Sequence, residues 1–129
     1  MSEKLYNIKL TKSQMESIDM SDDIVSRLFC GQVNEVARCS PSGKVWLEHE
    51  TESALKKELF PDLDSSAYYG IYSQKAPDTA RVLYDIHQVI RNRLAYDGLK
   101  PGEKRSFTVN FDSPMRTSEK EKLIEVKGK

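Results

Sequence analysis

Between positions 81 and 91 the chain places Arg81, Tyr84, Gln88 and Arg91 at successive spacings of three, four and three residues. On a helix these four side chains project within about 80° of one another and form one polar face. Two guanidiniums with an aromatic and an amide suit a phosphate-bearing ligand. Arginine gives fork-shaped, charge-assisted bonds, tyrosine stacks a base, and glutamine reads its edge. The blander reading, which weighs more, is a solvated face with Arg81 and Asp85 as an i,i+4 ion pair. Arg93 falls within the apolar arc of that helix. Its charge must be paired, with Asp97 or Asp112, or serve as an anion ligand at an interface. Asp112, Arg116 and Thr117 follow a candidate strand, and could line a pocket or simply end the strand in a turn. Tyr69 belongs to a loop with three tyrosines, at 68, 69 and 72, and is either a stacking surface or a loop anchor.

Other chemistries find less support. His49 lies in Glu48-His49-Glu50-Thr51-Glu52, which lacks the second histidine of a zinc-protease helix, and His87 is the only other histidine. Cys30 and Cys39 are nine residues apart, without metal-type spacing and without a sequence-near histidine–acid pair. They read as reduced thiols, with Cys30 in the core. The glycines are scattered, so no phosphate-cradling loop is present. The expectation is a non-enzymatic protein with no metal and no cofactor.

The elements that must carry these residues follow from periodicity and caps. Leu5, Tyr6, Ile8 and Leu10 suggest a short strand. Thr11-Lys12-Ser13-Gln14 is a capping box that starts a helix. From 12 to 38 the apolar residues Met15, Ile18, Val25, Leu28, Phe29, Val33 and Val36 keep one helical phase. Asp19–Asp23 and Gly31 interrupt it, which predicts two or three helical pieces sharing one buried face. Residues 45–59 read as an amphipathic helix with Trp46, Leu47, Ala54, Leu55 and Leu59 on its apolar side, stopped by Pro61. Residues 61–76 form a long loop. Residues 77–96 give the strongest helix, with Pro77 at its start and Val82, Leu83, Ile86, Val89, Ile90 and Leu94 on its core side. Residues 106–111 alternate as a half-buried strand, and Leu123, Ile124 and Val126 suggest another. The order predicts a small α+β single domain over 1–129. Three to four helices would pack with a two- or three-stranded antiparallel sheet built from the chain termini.

Composition narrows the partners. The chain has 129 residues, 20 basic and 20 acidic, for a net charge of zero. Neutrality argues against generic nucleic-acid binding and against a polybasic membrane binder. No apolar run is long enough to span a membrane, and the N-terminus lacks the apolar core of a secretory signal. The zero hides a division: residues 1–64 carry 8 basic and 12 acidic groups, and residues 65–129 carry 12 and 8. An anion site therefore belongs to the C-terminal half, or the two halves of different copies face one another.

Three segments carry a resemblance. They are Gly31-Gln32-Val33-Asn34-Glu35, the stretch from Tyr69-Gly70-Ile71 into the helix that runs from Ala80-Arg81 through Tyr84-Asp85 and Gln88-Val89-Ile90-Arg91 to Arg93-Leu94-Ala95, and Val109-Asn110-Phe111-Asp112-Ser113-Pro114-Met115-Arg116-Thr117. Over residues 25–120 the chain resembles a group of small uncharacterised proteins of tailed bacteriophages, departing from their pattern at Asn92 and Tyr96. The resemblance supplies no catalytic residues. It implies a phage accessory protein acting in the cytoplasm of the infected bacterium, and small size with that lifestyle suggests a homo-oligomer. The first expectation is sequestration of a small anionic nucleotide that signals anti-phage defence, through Arg81, Tyr84, Gln88, Arg91, Arg93, Tyr69, Asp112, Arg116 and Thr117. The alternative is a protein that binds and inhibits or redirects a host bacterial protein.

Overall fold

The structure, a computed structural model, describes residues 4–64, 66–106 and 108–127. Helix α1 spans Lys12–Phe29. Both halves of the expected capping box form: Thr11 Oγ1 accepts the Gln14 amide at 3.2 Å, and Gln14 Oε1 accepts the Thr11 amide at 2.8 Å. The helix runs unbroken through Asp19–Asp23, where the sequence suggests an interruption. Tertiary partners account for this. Asp19 meets His87, and Asp23 meets Arg27 and Arg38, which outweighs the low helix propensity of aspartate. The break falls instead at Gly31. Its φ of +88° turns the chain into a 3₁₀ helix over Val33–Cys39.

Helix α2 spans His49–Leu59 and leaves Val45 to Leu47 outside it. The Leu47 amide donates to Asn34 Oδ1 at 2.6 Å, which pins the approach to α2 against the 3₁₀ helix. Trp46, expected on the apolar side of α2, is 67% exposed. Helix α3 spans Asp78–Asp97, with Pro77 in the capping position. A single 3₁₀ turn follows at Val109–Phe111.

The expected α+β architecture is not what forms: the described residues are helical and extended, with no strand and no sheet. Residues 4–10 are extended and exposed and hydrogen-bond to no other described residue. Within 106–111, the Phe111 amide turns back to the Thr108 carbonyl at 3.1 Å, making a 3₁₀ turn instead of a strand. Phe107, in the middle of that expected strand, lies outside the described residues. Residues 123–126 are extended but unpaired. Alternation gives strand propensity, but a sheet also needs a neighbouring backbone. Around 110–118 the backbone groups go to side chains of α3. Asn92 Nδ2, for example, donates to the carbonyls of Asn110 and Asp112 at 3.3 and 3.0 Å.

The core lies between α1 and α3, which run antiparallel: Ser26 meets the start of α3 and Asp19 its middle. Its members are small, namely Ile24, Cys30, Val33, Ala37, Ala76, Ala80 and Ile90. Tyr69 and Ile71 pack over Cys30, Ala76 and Ala80. Both helical faces differ from their hydrophobic phase. On α1 the buried line runs through Asp22, Ser26 and Cys30, whereas Val25 and Phe29 are exposed. On α3, Arg81, Asp85, His87 and Gln88 are buried, and of the six expected apolar core residues only Ile90 is fully so. No described helix is long and apolar enough to cross a membrane.

Candidate functional site

Helix α3 offers three faces. Residues 80, 83, 87, 90, 91 and 94 turn toward α1, residues 78, 81, 85, 88 and 92 share a second face, and 82, 86, 89 and 93 a third. The second face contains most of the residues selected from the sequence. It is occupied by the chain's own C-terminal segment.

Asp85 is the centre of this arrangement and is 3% exposed. Its carboxylate accepts the Thr117 amide at 3.0 Å, the Thr117 hydroxyl at 2.6 Å and the Ser118 amide at 2.9 Å. One turn toward the helix start, Asp78 accepts the Ser118 hydroxyl at 2.8 Å and the Glu119 amide at 3.0 Å. The Glu119 amide, the Ser118 hydroxyl and the Arg81 guanidinium together hold the Asp78 carboxyl well below its ordinary pKa. One turn the other way, Gln88 makes a reciprocal pair with Met115: its Nε2 donates to the Met115 carbonyl at 2.8 Å and its Oε1 accepts the Met115 amide at 3.0 Å. Asp78, Asp85, Gln88 and Asn92 thus bind the backbone of residues 110–119 along four turns of helix. Backbone groups of an irregular segment need partners, and here side chains supply them.

Arg81 is 6% exposed. Its Nε donates to Asp78 at 2.9 Å, and its Nη1 donates to the carbonyls of Ile71 and Ser73 at 3.0 and 3.2 Å. Its ion-pair partner is therefore Asp78, at i−3, and not Asp85. Through Arg81, α3 also fixes the end of the tyrosine loop. Tyr69 is fixed as well: its amide donates to the Cys30 carbonyl at 2.8 Å, its hydroxyl to Asp62 at 2.6 Å, and its ring packs edge-on against Phe60. Lys75 joins Asp62 at 2.8 Å, and Lys56, 5% exposed, donates to the Ala67 carbonyl at 2.7 Å. Hydrogen bonds from Lys75 and then Tyr69 lower the pKa of Asp62, and the bond to Asp62 raises that of Tyr69. On this pinned frame Tyr68 and Tyr72 point outward, 60% and 68% exposed.

The remaining expected residues scatter. Arg93 Nε pairs with Asp97 at 3.0 Å near the end of α3. Arg116 donates to the carbonyls of Ser118 and Glu119 at 2.9 and 3.0 Å. Asp112 is exposed, and Thr117 belongs to the Asp85 cluster. Tyr84 and Arg91 lie on the α1 side. Tyr84 tilts against the His87 ring, and an Arg91 Nη1 sits 3.4 Å from His87 Nε2. The structure thus does not gather the nine residues around one ligand space.

Sequence reasoning missed a charged cluster between α1 and α3. His87 Nδ1 lies 2.6 Å from Asp19 Oδ1, and its Nε2 lies 3.4 Å from Arg91 Nη1 and 3.7 Å from Asp23 Oδ1. Burial, followed by the charge of Asp19, pushes Asp22 up to about 6, and its Oδ2 has no partner among the described residues. Burial would also raise Asp23, but bonds from Arg38 and Arg27 overcome it and leave that carboxyl below its ordinary value. The available signal was the match between acidic positions on α1 and basic ones on α3, visible only once the two helices are set antiparallel. Cys30 is buried, which raises its thiol pKa, and Cys39 is exposed; both are free. Among the described residues no group of three or more potential ligands could hold a metal ion. Comparison with protein-family models, with curated proteins and with solved structures gives no match.

Proposed function

We propose that this chain is a non-enzymatic phage accessory protein that binds a host bacterial protein in the cytoplasm of the infected cell. The observation that supports this reading is the tyrosine loop. Tyr69, Arg81, Lys56 and Lys75 immobilise it, and Tyr68 and Tyr72 stand outward on that rigid base. Tyrosine offers a large contact area at low entropic cost, and a pre-fixed backbone lowers the ordering cost further. The test is affinity capture from infected bacteria, then reconstitution with the captured protein and calorimetry. The expected result is one stoichiometric partner, with Tyr68→Ala and Tyr72→Ala each weakening binding at least about tenfold. Absence of a stoichiometric partner, or equal binding by both variants, overturns the reading.

A second reading, sequestration of a nucleotide signal, rests on Arg91. This arginine is half-buried, and its Nε has no partner among the described residues. Arg81, Gln88 and Thr117 are buried and engaged in intramolecular bonds, so Arg91 and Tyr84 would carry the recognition. A cyclic or ADP-ribose-type nucleotide at 100 times its Kd would add about 2.7 kcal/mol to stability, and Arg91→Ala would remove it. A nucleotide panel that gives neither a thermal shift nor binding heat rejects this reading.

A further inference from the structure

The chain exposes too much surface for its mass. Its accessible area is 9827 Å², whereas a compact monomer of this mass exposes about 7,000 Å². The excess, roughly 2,800 Å², is more than three times the roughly 800 Å² each partner gives to a standard interface. Two features account for part of it, and they match each other.

The first is the arm formed by residues 4–10. Leu5, Ile8 and Leu10 are 70%, 76% and 41% exposed, and no hydrogen bond joins the arm to another described residue. The second is the third face of α3, which neither α1 nor the Asp85 clamp covers. Val82 and Ile86 on that face, with Ile124 of the C-terminal segment opposite, line a mainly apolar groove of about 410 Å³, whose polar edge is formed by Thr79, Asp85, Glu121 and Lys122. The arm is extended, apolar and uncovered; the groove is apolar and open. The arm carries Lys4 and Lys9 and no acid, whereas the groove lining carries Asp85 and Glu121 against the single cation Lys122.

We infer that the arm of one copy of this chain lies in the Val82–Ile86–Ile124 groove of a second copy. The arm leaves α1 at Thr11. Because α1 and α3 are antiparallel, this end sits beside the C-terminal half of α3, whereas the groove flanks its N-terminal half. Seven extended residues reach about 23 Å, enough to cross to a neighbouring molecule. Since every copy carries both an arm and a groove, exchange is reciprocal in a two-fold pair or continues around a closed ring. Docking buries Leu5, Ile8 and Leu10 together with the apolar stripe of α3.

The test uses the full chain. Sedimentation across micromolar concentrations is expected to show an oligomer, and Ile8→Asp to weaken its association at least about tenfold. Ile8 is 76% exposed and hydrogen-bonds to no other described residue, so an unchanged helical circular dichroism spectrum separates this effect from misfolding. In a Cys39→Ser background, Ile8→Cys chains are mixed with Ile124→Cys chains under oxidation. A disulfide between the two kinds of chain is expected, and each variant alone should give little. A monomer at all concentrations, or an oligomer indifferent to Ile8→Asp, or the absence of the mixed cross-link, overturns the inference. The host-protein reading stands or falls separately on Tyr68 and Tyr72.

Discussion

Replacing Asp85 with asparagine tests the account of how the C-terminal segment is held. The side chain keeps its shape but loses its charge and one acceptor oxygen. In the native site one oxygen accepts the Thr117 hydroxyl and amide, and the other accepts the Thr117 and Ser118 amides. The asparagine oxygen can retain the first set. Its NH2 group must then face the Ser118 amide, donor against donor, in a site that is 3% exposed. The loss comprises one charge-assisted bond, about 1.5–3 kcal/mol, and one buried unsatisfied donor, about 1–3 kcal/mol. Together these give about 2.5–6 kcal/mol, a large share of the roughly 5–15 kcal/mol that stabilises a domain.

The assay is urea denaturation followed by helical circular dichroism, paired with amide hydrogen exchange. Asp85→Asn should lower the midpoint and should deprotect the Thr117 and Ser118 amides ahead of the helical ones. Thr117→Val removes only the hydroxyl bond and should cost about 1–2 kcal/mol. A change below about 0.5 kcal/mol for Asp85→Asn, which is the size expected at an ordinary surface position, would refute the clamp. Equal losses for the two variants, or unchanged protection at Thr117 and Ser118, would also refute it.

Two further outcomes follow from other sites. Gly31→Ala should destabilise by about 1–3 kcal/mol in the same urea assay, because φ is +88° and the new methyl would lie 2.6 Å from Leu63 Cδ1; a neutral result would mean that the α1 exit has another conformation. Asp22→Asn should raise stability at pH 7 by on the order of 1 kcal/mol, after discounting for solvent screening. The sign follows from a folded pKa of about 6 against an ordinary 3.8. The folded state binds the extra proton, so the native carboxyl loses stability as pH rises from about 4 to 6, and the variant should flatten that part of the pH–stability curve. An unchanged slope there would refute the burial of Asp22.

How much of this was legible in the sequence depended on how local the signal was. The capping box at Thr11–Gln14, the extent of α3 and the core position of Cys30 came from local patterns, and the structure agrees with them. The strands did not form, because a strand needs a partner and alternation at 5–10 or 106–111 does not specify one. The faces of α1 and α3 misled for a related reason. Hydrophobic phase assumes that a helix buries its apolar side against other apolar sides. The second face of α3 instead receives an irregular segment with free amides and carbonyls, and a polar side chain is the better partner for those groups. Arg81 and Gln88, read from the sequence as candidate ligand-binding residues, bond to the tyrosine loop and to the C-terminal segment respectively.

This exchange of roles explains the surface. Asp78, Arg81, Asp85, Gln88 and Asn92 on the second face of α3 satisfy backbone groups and so hold 110–119 and the tyrosine loop in place. A polar face used in this way cannot also shelter Val82 and Ile86, which stay half-buried beside Ile124. Burying polar groups inside the chain and leaving apolar ones at the rim is unfavourable for a monomer, since apolar burial is the main driving force for folding. The same arrangement is favourable when the rim is covered by another chain, because specific hydrogen bonds fix the frame and apolar association then completes it. Val82→Ala, which shortens the stripe without disturbing the clamp, should therefore weaken assembly more than it weakens the fold. The reverse order, measured by sedimentation and urea denaturation on one preparation, would mean that the stripe is simply a loosely covered core.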